Sequence, residues 1–210
     1  MLKMLKNSPV VLPLRRMLFE RKFANHQNVN YFRGVFESFD EAAKSAPNTK
    51  PKGYDNSDSA KLYKERSQKL YPTDQPVLFW MNKIKDEVSK VFDFGGHFGI
   101  HYYSYQSALD FSNISNWTVC DVESVCKEGR EYGQTKDKEG KLDFVTDIKS
   151  CEGYDLFLAK GSLQYLEWEL HDKLLTLSER PKYLIINMTP MHPTFKTITL
   201  NSIGTAFCPH

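Results

Sequence analysis

The sequence predicts an α/β fold, a mostly parallel sheet with helices on both faces, preceded by an N-terminal helical segment. Two observations carry this prediction. Short apolar runs alternate with stretches of helical periodicity from about residue 76 onward. The first run, residues 91–94, breaks directly into a turn that contains Gly95, Gly96 and Gly99. A buried strand followed by a glycine-rich turn and a helix start is typical of a unit that holds a ligand.

Composition narrows the class of protein. With 210 residues, 40% hydrophobic and 26% charged, the chain can bury a substantial core. A net charge of +2 gives no electrostatic basis for a nucleic-acid partner. The cysteines form no Cys-x-x-Cys pair, so we expect reduced thiols in a cytoplasmic protein and no metal site. The apolar run at residues 10–14 is too short to span a membrane, and the following Arg15 and Arg16 argue against a signal peptide.

The chain is predicted to divide near residue 75. Residues 1–75 would form a helical cap segment, and residues 76–210 would form the ligand-binding domain. Within the first part, Ser38 and Glu41 have the spacing of a capping box at the start of a short helix, which Pro47 ends.

Two further helices are predicted ahead of the glycine turn. The first covers residues 61–70. Pro76 opens the second, because proline is favoured at the first helical position. Apolar residues then recur at helical spacing, and Trp80 among them is predicted to lie in the core, with Phe79 on the same apolar pattern.

Four more strands are predicted after the glycine turn. They cover residues 117–122, 142–148, 154–159 and 182–187. Helices or polar loops separate them, and this alternation implies parallel strands joined by right-handed crossovers.

In a parallel sheet of this kind, ligands bind at the carboxyl ends of the strands. Asp121, Asp147, Gly161 and Ser162 fall at those ends, together with the glycine turn. An acid after the second strand is the residue type that accepts hydrogen bonds from two ribose hydroxyls. The alternatives are a helix N-cap for Asp121 and a turn residue for Asp147. Because the two acids stand at matching strand ends, they together favour a nucleotide-type site.

The glycine motif distinguishes between two cofactor classes. A dinucleotide motif, Gly-x-Gly-x-x-Gly, would require glycine at position 94, which is Phe94. The run Asp-Phe-Gly-Gly-His-Phe-Gly instead resembles the first motif of S-adenosylmethionine-dependent methyltransferases of the Rossmann-like class. The resemblance implies that the glycine turn contacts the methionine part of the cofactor, Asp121 the ribose and Asp147 the adenine. The candidate cofactor-binding residues are Asp93, Gly95, Gly96, His97, Gly99, Asp121, Asp147, Gly161 and Ser162.

Further segments, in order, strengthen the resemblance. Residues 91–96, 117–125, 154–166 and 183–190 together resemble a family of methyltransferases found among bacterial surface-polysaccharide biosynthesis genes. The resemblance extends over about residues 31–209. It implies methyl transfer, with oxygen as the expected acceptor atom, to a small-molecule or glycan substrate in surface-polysaccharide metabolism.

Two departures from this pattern keep other functions open. His97 stands where the cofactor class often has glycine, and it would narrow the pocket or face the substrate. After the fifth strand there is little room for the usual closing helix and β-hairpin, although residues 194–200 and 205–208 could supply short strands. We therefore expect a shortened C-terminal end, whose exposed strand edge the N-terminal segment or a second copy in a homo-oligomer would cover. The alternatives are a catalytically silent binding or scaffold protein and a nicotinamide-dependent oxidoreductase.

Catalytic residues are indicated less directly. Methyl transfer to a hydroxyl requires the acceptor to be held in line and a base to remove its proton. The catalytic candidates are His192, His101 and Tyr165, and Gln164 lies near the same edge. A single histidine is more often structural or at the surface. Lys160 is interpreted as a solvated side chain at the end of the fourth strand.

Overall fold

The computed structural model describes residues 11–26, 29–60 and 69–210. The chain forms two compact units, Met1–Tyr54 with Thr194–His210, and Asp55–Pro193. The first unit is therefore built from two separate parts of the sequence. This division differs from the expected one into residues 1–75 and 76–210.

The described residues alternate between helices and short strands. The strands are β1 (Tyr31–Phe36), β2 (Lys90–Phe94), β3 (Asn116–Cys120), β4 (Leu142–Val145), β5 (Leu156–Lys160), β6 (Tyr183–Asn187), β7 (Ile198–Ile203) and β8 (Ala206–Pro209). The α-helices are α1 (Val11–Asn25), α2 (Phe39–Lys44), α3 (Ser57–Ala60), α4 (Gln75–Ile84), α5 (Ile100–Tyr105), α6 (Glu123–Lys136) and α7 (Leu170–Leu175). The helix predicted at residues 61–70 falls mostly outside the described ranges.

The larger unit contains a five-stranded parallel sheet in the order β4-β3-β2-β5-β6. The predicted α/β class with a parallel sheet is confirmed. The direction of strand progression reverses between β2 and β5, and such a switch point leaves a crevice at the carboxyl ends of the strands. The glycine turn follows β2 and Gly161 follows β5, so both lie at this crevice.

Apolar clusters pack against both faces of the parallel sheet. Val91 and Phe92, neighbours on β2, belong to different clusters because successive strand side chains point to opposite faces. The cluster of Val91 includes Met81 of α4 and Tyr105 of α5. The cluster of Phe92 includes Leu174 of α7. Helices therefore cover both faces, as predicted.

The prediction that Trp80 of α4 lies in the core was wrong. Phe79 and Trp80 are 55% and 58% exposed. The residues that α4 buries are Val77, Leu78 and Met81. With 3.6 residues per turn, these three share one side of the helix, and positions 79 and 80 turn away from it.

The smaller unit contains a three-stranded antiparallel sheet in the order β1-β7-β8. Its core contains Phe23 of α1, Leu200 of β7 and Phe207 of β8. The N-terminal part is thus not wholly helical, because β1 pairs with β7. The two short C-terminal strands exist, but they belong to this sheet and not to the parallel one.

Two further sequence expectations concern the thiols and the membrane. All four cysteines are free thiols with buried side chains, as expected. Among the described residues, no helix combines the length and the apolar character needed to cross a membrane.

Candidate functional site

The glycine turn after β2 is packed so closely that two of its positions have no room for a side chain. Gly95 has φ of +74°, and a Cβ there would lie 2.3 Å from the Cβ of Ser162. At Gly96, a Cβ would lie 2.3 Å from Oδ2 of Asp93. The Ser162 hydroxyl also donates to the carbonyl of Phe94 at 2.7 Å. The ends of β2 and β5 are thereby fixed to each other at the switch point.

Asp93, in the strand that leads into this turn, supports the turn through its buried side chain. Its side chain is fully buried, and Nδ1 of His101 lies 3.0 and 3.1 Å from its two oxygens. Trp117 Nε1 donates to Oδ2 of the same carboxylate at 3.2 Å. The carboxylate thus faces buried side chains, which is a supporting position, whereas the sequence assigned it to cofactor contacts. His101, a catalytic candidate, is also buried and is oriented by Asp93.

Asp121 connects β3 to the glycine turn. Its Oδ2 accepts a hydrogen bond from the backbone N–H of His97 at 3.0 Å, and its Oδ1 accepts one from Val122 at 2.8 Å. The side chain does not cap α6, whose N-cap is Val122. Burial raises the pKa of Asp121 to about 6, against the two backbone hydrogen bonds that favour its ionised form. The charges of Asp93 and Asp55 raise the pKa further.

The side chain of His97 contacts α3. Its backbone is left-handed, with φ of +56°, and its imidazole is buried. Nε2 lies 3.0 Å from the carbonyl oxygen of Ser59, and the ring packs edge-on against Phe98 at 5.0 Å between centroids. The imidazole therefore fills space between the turn and α3, while the backbone N–H remains directed at Asp121.

Residues just before and within α3 form a part of the site that the sequence did not reveal. Asp55 accepts a hydrogen bond from the backbone N–H of Ser124 in the first turn of α6 at 3.0 Å. The Asn56 side chain accepts one from the N–H of Ser59 at 2.9 Å, and Ser59 itself is fully buried. The polar composition of residues 48–59 predicts a loop, and no local pattern indicates that its end packs beside the glycine turn.

The ends of β5 and β6 form the other side of the crevice. Gly161 and Met188 both have left-handed backbones, with φ of +72° and +56°. The N–H of Gly161 donates to the carbonyl of Asn187 at 2.9 Å, and Gln164 Nε2 donates to the carbonyl of Gly161 at 2.9 Å. Tyr165, a catalytic candidate, ends the 3-10 helix that follows.

Lys160 is not the solvated side chain that the sequence suggests. Its Nζ lies 2.8 Å from Oδ1 of Asp74, with the two side chains 12% and 4% exposed. Tyr105 donates to the same Asp74 oxygen at 2.9 Å, and the backbone N–H of Tyr71 donates to the other at 2.7 Å. Burial opposes ionisation of Asp74, but Lys160, Tyr71 and Tyr105 together lower its pKa. The end of β5 thus carries a buried ion pair.

Two of the predicted site residues lie at the surface. Asp147 is exposed, and its side chain accepts the N–H of Lys149 at 2.9 Å as the N-cap of the short helix Ile148–Cys151. This agrees with the alternative role of Asp147 as a turn residue. His192 is exposed in the loop after β6.

Comparisons with known proteins add little to this geometry. No protein-family model matches the sequence, and neither does any curated protein. The chain is similar to the solved structure of mitomycin 7-O-methyltransferase MmcR, at 17% identity over 57% of this chain and 38% of that one, with a TM-score of 0.37. It is also similar to YcgJ from Bacillus subtilis, at 12% identity over 57% and 53%, with a TM-score of 0.41.

A third similar structure is the O-methyltransferase NcsB1 from neocarzinostatin biosynthesis, in complex with S-adenosylmethionine and 2-hydroxy-5-methyl naphthoic acid. The identity is 17% over 42% of this chain and 26% of that one, with a TM-score of 0.31. The chain thus spans about a quarter to a half of the length of these proteins. Similarity at this level carries no argument for a function, which has to come from the residues of the site.

Proposed function

We propose that this protein is an S-adenosylmethionine-dependent methyltransferase. The observation that carries the proposal is the carboxylate of Asp121, at the end of β3 and hydrogen-bonded to the glycine turn. Each of its oxygens accepts one backbone N–H and keeps a further lone pair. Two adjacent ribose hydroxyls are the donors that such a carboxylate accepts. The donor set therefore fits the nucleoside part of the cofactor, which when bound supplies a methyl group activated by a sulfonium.

The remaining predicted contacts follow from this assignment. The turn from Gly95 to Gly99 would lie beside the methionine part, with the backbone of His97 fixed by Asp121. Gly161 and Ser162 would form the facing wall, because Ser162 is in contact with Gly95. Asp147 would be near the adenine. Asp93 would hold the turn in place.

We propose a hydroxyl of a small molecule or glycan as the methyl acceptor, in surface-polysaccharide metabolism. The net charge of +2 favours such an acceptor over a polyanion, and the family resemblance points the same way. The four reduced thiols suit a cytoplasmic enzyme. His101 is the base candidate with a defined environment, because its Nδ1 lies 3.0 Å from an oxygen of Asp93, which orients the ring. His192 and Tyr165 are the other candidates.

The alternatives make different predictions. A silent binding protein would take up the cofactor and transfer nothing. A nicotinamide-dependent oxidoreductase would prefer NAD, but Phe94, at the position of the first glycine, is buried and stacked on Phe157 at 5.8 Å. A buried aromatic side chain at this position does not fit the dinucleotide motif, which disfavours the oxidoreductase.

Calorimetry tests the cofactor assignment. We expect S-adenosylmethionine and S-adenosylhomocysteine to bind the wild type, and Asp121→Ala to weaken binding by about 1.5–3 kcal/mol, the scale of hydrogen bonds to a charged group. The matched control is Asp143→Ala, since Asp143 is an exposed acid on the neighbouring strand β4. Equal affinity in Asp121→Ala would remove that residue from the site, and tighter binding of NAD would overturn the class.

Labelled methyl transfer to nucleotide sugars and glycan intermediates tests the chemistry. Loss of the base should reduce transfer by about 10²–10⁴-fold. The variants His101→Ala, His192→Ala and Tyr165→Phe are compared at equal cofactor saturation. Unchanged transfer in any variant excludes that residue as the base. Cofactor binding without transfer to any acceptor would favour the silent protein.

A further inference from the structure

We propose that Gln164 and Thr189 bind the methyl acceptor, and that this acceptor carries at least two hydroxyl groups near each other, as a sugar ring does. This inference rests on the proposed function and adds to it the residues that would select the substrate. Neither side chain can remove a proton at neutral pH, so both would bind and orient the acceptor.

The starting observation is a pair of buried polar atoms. Oε1 of Gln164 and Oγ1 of Thr189 are inaccessible to solvent and have no hydrogen-bond partner among the described residues. Buried polar atoms in native proteins are nearly always paired, because leaving one unpaired costs free energy comparable to a lost hydrogen bond. Two such atoms, one after each of two neighbouring strands, indicate that a ligand completes their hydrogen bonding.

The backbone brings together the segments that carry these two residues. β5 and β6 are paired in parallel, with Lys160 opposite Asn187 at their carboxyl ends. A Cβ built on Gly161 would lie 3.8 Å from Cβ of Met188 and 4.0 Å from Nε2 of Gln164. The Gln164 amide and Met188, the residue before Thr189, therefore both border the space beside Gly161. This position adjoins Ser162, which contacts the glycine turn.

The hydrogen bonds already made decide what the ligand must offer. The Gln164 amide nitrogen donates to the carbonyl of Gly161 at 2.9 Å, which directs Oε1 away from that carbonyl. An amide oxygen only accepts, so the ligand group that meets it must carry a hydrogen. The Thr189 hydroxyl both donates and accepts. A polyhydroxylated ring satisfies both atoms at once, whereas a carboxylate or an ether cannot donate to Gln164.

The left-handed backbone of Met188 is consistent with a position that is fixed for binding. Its φ of +56° is uncommon for a non-glycine residue. Because Met188 lies between the end of β6 and Thr189, this conformation determines how Thr189 is placed relative to the strand. The Met188 side chain is 54% exposed, so burial of that side chain does not account for the conformation.

The first test uses the ligand-free protein. If Thr189 Oγ1 is unpaired, the isosteric Thr189→Val should raise the midpoint of thermal unfolding by about 2–4 °C. The control is Thr135→Val, at an exposed hydroxyl that donates to the carbonyl of Tyr132; it should leave the midpoint unchanged or lower it. A lower midpoint in Thr189→Val would show that the hydroxyl is already paired, and would overturn the proposal.

The second test measures binding of uridine and guanosine diphosphate sugars to the protein saturated with S-adenosylhomocysteine. We expect at least one to bind, Gln164→Leu and Thr189→Val to weaken it at least tenfold, and Thr189→Ser to restore it. Gln134→Leu, at an exposed glutamine of α6, is the control. Equal binding by the variants, or no binding of any sugar to the wild type, would overturn the proposal. Failure of the proposed function would differ, because S-adenosylhomocysteine itself would not bind.

Discussion

At the scale of single residues, Asp121 is placed where its charge is unfavourable in the free protein. Burial raises its pKa to about 6, although the backbone N–H groups of Val122 and His97 support the ionised form. A ligand that donates two hydroxyls would offset the lost hydration. Such an acid is more useful for binding than for stability, which is common at functional sites.

The pKa of Asp121 leads to two opposite pH dependences. Cofactor affinity should fall as the pH decreases through about 6, because the protonated acid is a poorer acceptor. The stability of the free protein should change the other way. The folded state holds the Asp121 proton more tightly than the unfolded state, so stability is greatest below the unfolded pKa and decreases as the pH rises through about 6.

The pH-dependent contribution of Asp121 to the free energy of unfolding should amount to at most about 3 kcal/mol, since one pKa unit corresponds to roughly 1.4 kcal/mol. Urea unfolding of wild type and Asp121→Asn between about pH 4 and 7 measures it. In Asp121→Asn, the part of the pH dependence of stability that comes from Asp121 should be absent. An identical slope in both proteins would contradict the assignment.

A second residue-scale prediction concerns the buried pair of Lys160 and Asp74. Lys160→Met leaves the Asp74 carboxylate buried without its cation, and should lower the free energy of unfolding by about 3–5 kcal/mol. The control is Lys44→Met, which removes the exposed pair with Asp40, where the side chains are 75% and 68% exposed. That change should cost less than about 1 kcal/mol. Equal effects in both variants would mean that the Lys160 pair is not buried in solution.

At the scale of elements, local patterns predicted the strands of the parallel sheet. All five predicted strands were found, with ends that differ by at most three residues, because a buried parallel strand is a continuous apolar run and is visible on its own. β1 was missed, since its burial is irregular and Gly34 interrupts it. Its identity as a strand depends on pairing with β7, at the far end of the sequence.

In the candidate site too, features of the local sequence could be predicted and contacts between distant segments could not. Asp121 ends an apolar strand and could be predicted, whereas the pair of Lys160 with Asp74 and the contact of His97 with Ser59 join distant segments. Nothing in the neighbouring sequence marks such contacts. The unpaired buried oxygens of Gln164 and Thr189 likewise arise only when the chain is packed, so the sequence alone does not reveal them.

Helix α6 offers an element-scale prediction with an internal control. A Cβ at Gly129 would lie 2.3 Å from the Phe144 ring, whereas at Gly133 the nearest atom is the Tyr103 hydroxyl at 3.8 Å. Gly133→Ala should therefore raise the free energy of unfolding by about 0.8–1 kcal/mol through helix propensity. Gly129→Ala should lower it by about 1–3 kcal/mol, because Phe144 must move. Chemical denaturation measures both, and a stabilising Gly129→Ala would contradict the packing of α6 on β4.

At the scale of the whole molecule, β6 is one of the two outer strands of the parallel sheet in the described part of the chain. Leu184 and Ile186 on this strand are 49% and 39% exposed. They lie on one face of the strand, because side chains alternate. An apolar strand at the outer position of a sheet tends to pair with another copy of itself.

We therefore predict self-association through β6, with a second copy of this chain as the partner. Light scattering over a range of concentrations should report a dimer that dissociates on dilution. Leu184→Lys should shift the equilibrium to monomer, since charged residues protect exposed strands. Leu175→Lys, the same substitution at an exposed leucine of α7, is the control and should leave the equilibrium unchanged. A monomer at every concentration would exclude this interface.

The antiparallel sheet has a consequence for when the two units can fold. Asp55–Pro193 is one uninterrupted stretch, so all residues of the larger unit are synthesised one after another. The strand β1 is synthesised before this stretch, yet its partner β7 is synthesised only after it. Closing such a long loop slows pairing, and an unpaired strand is exposed to misassociation until its partner arrives. During synthesis, β1 thus has to wait for its partner until the whole of the larger unit has been made.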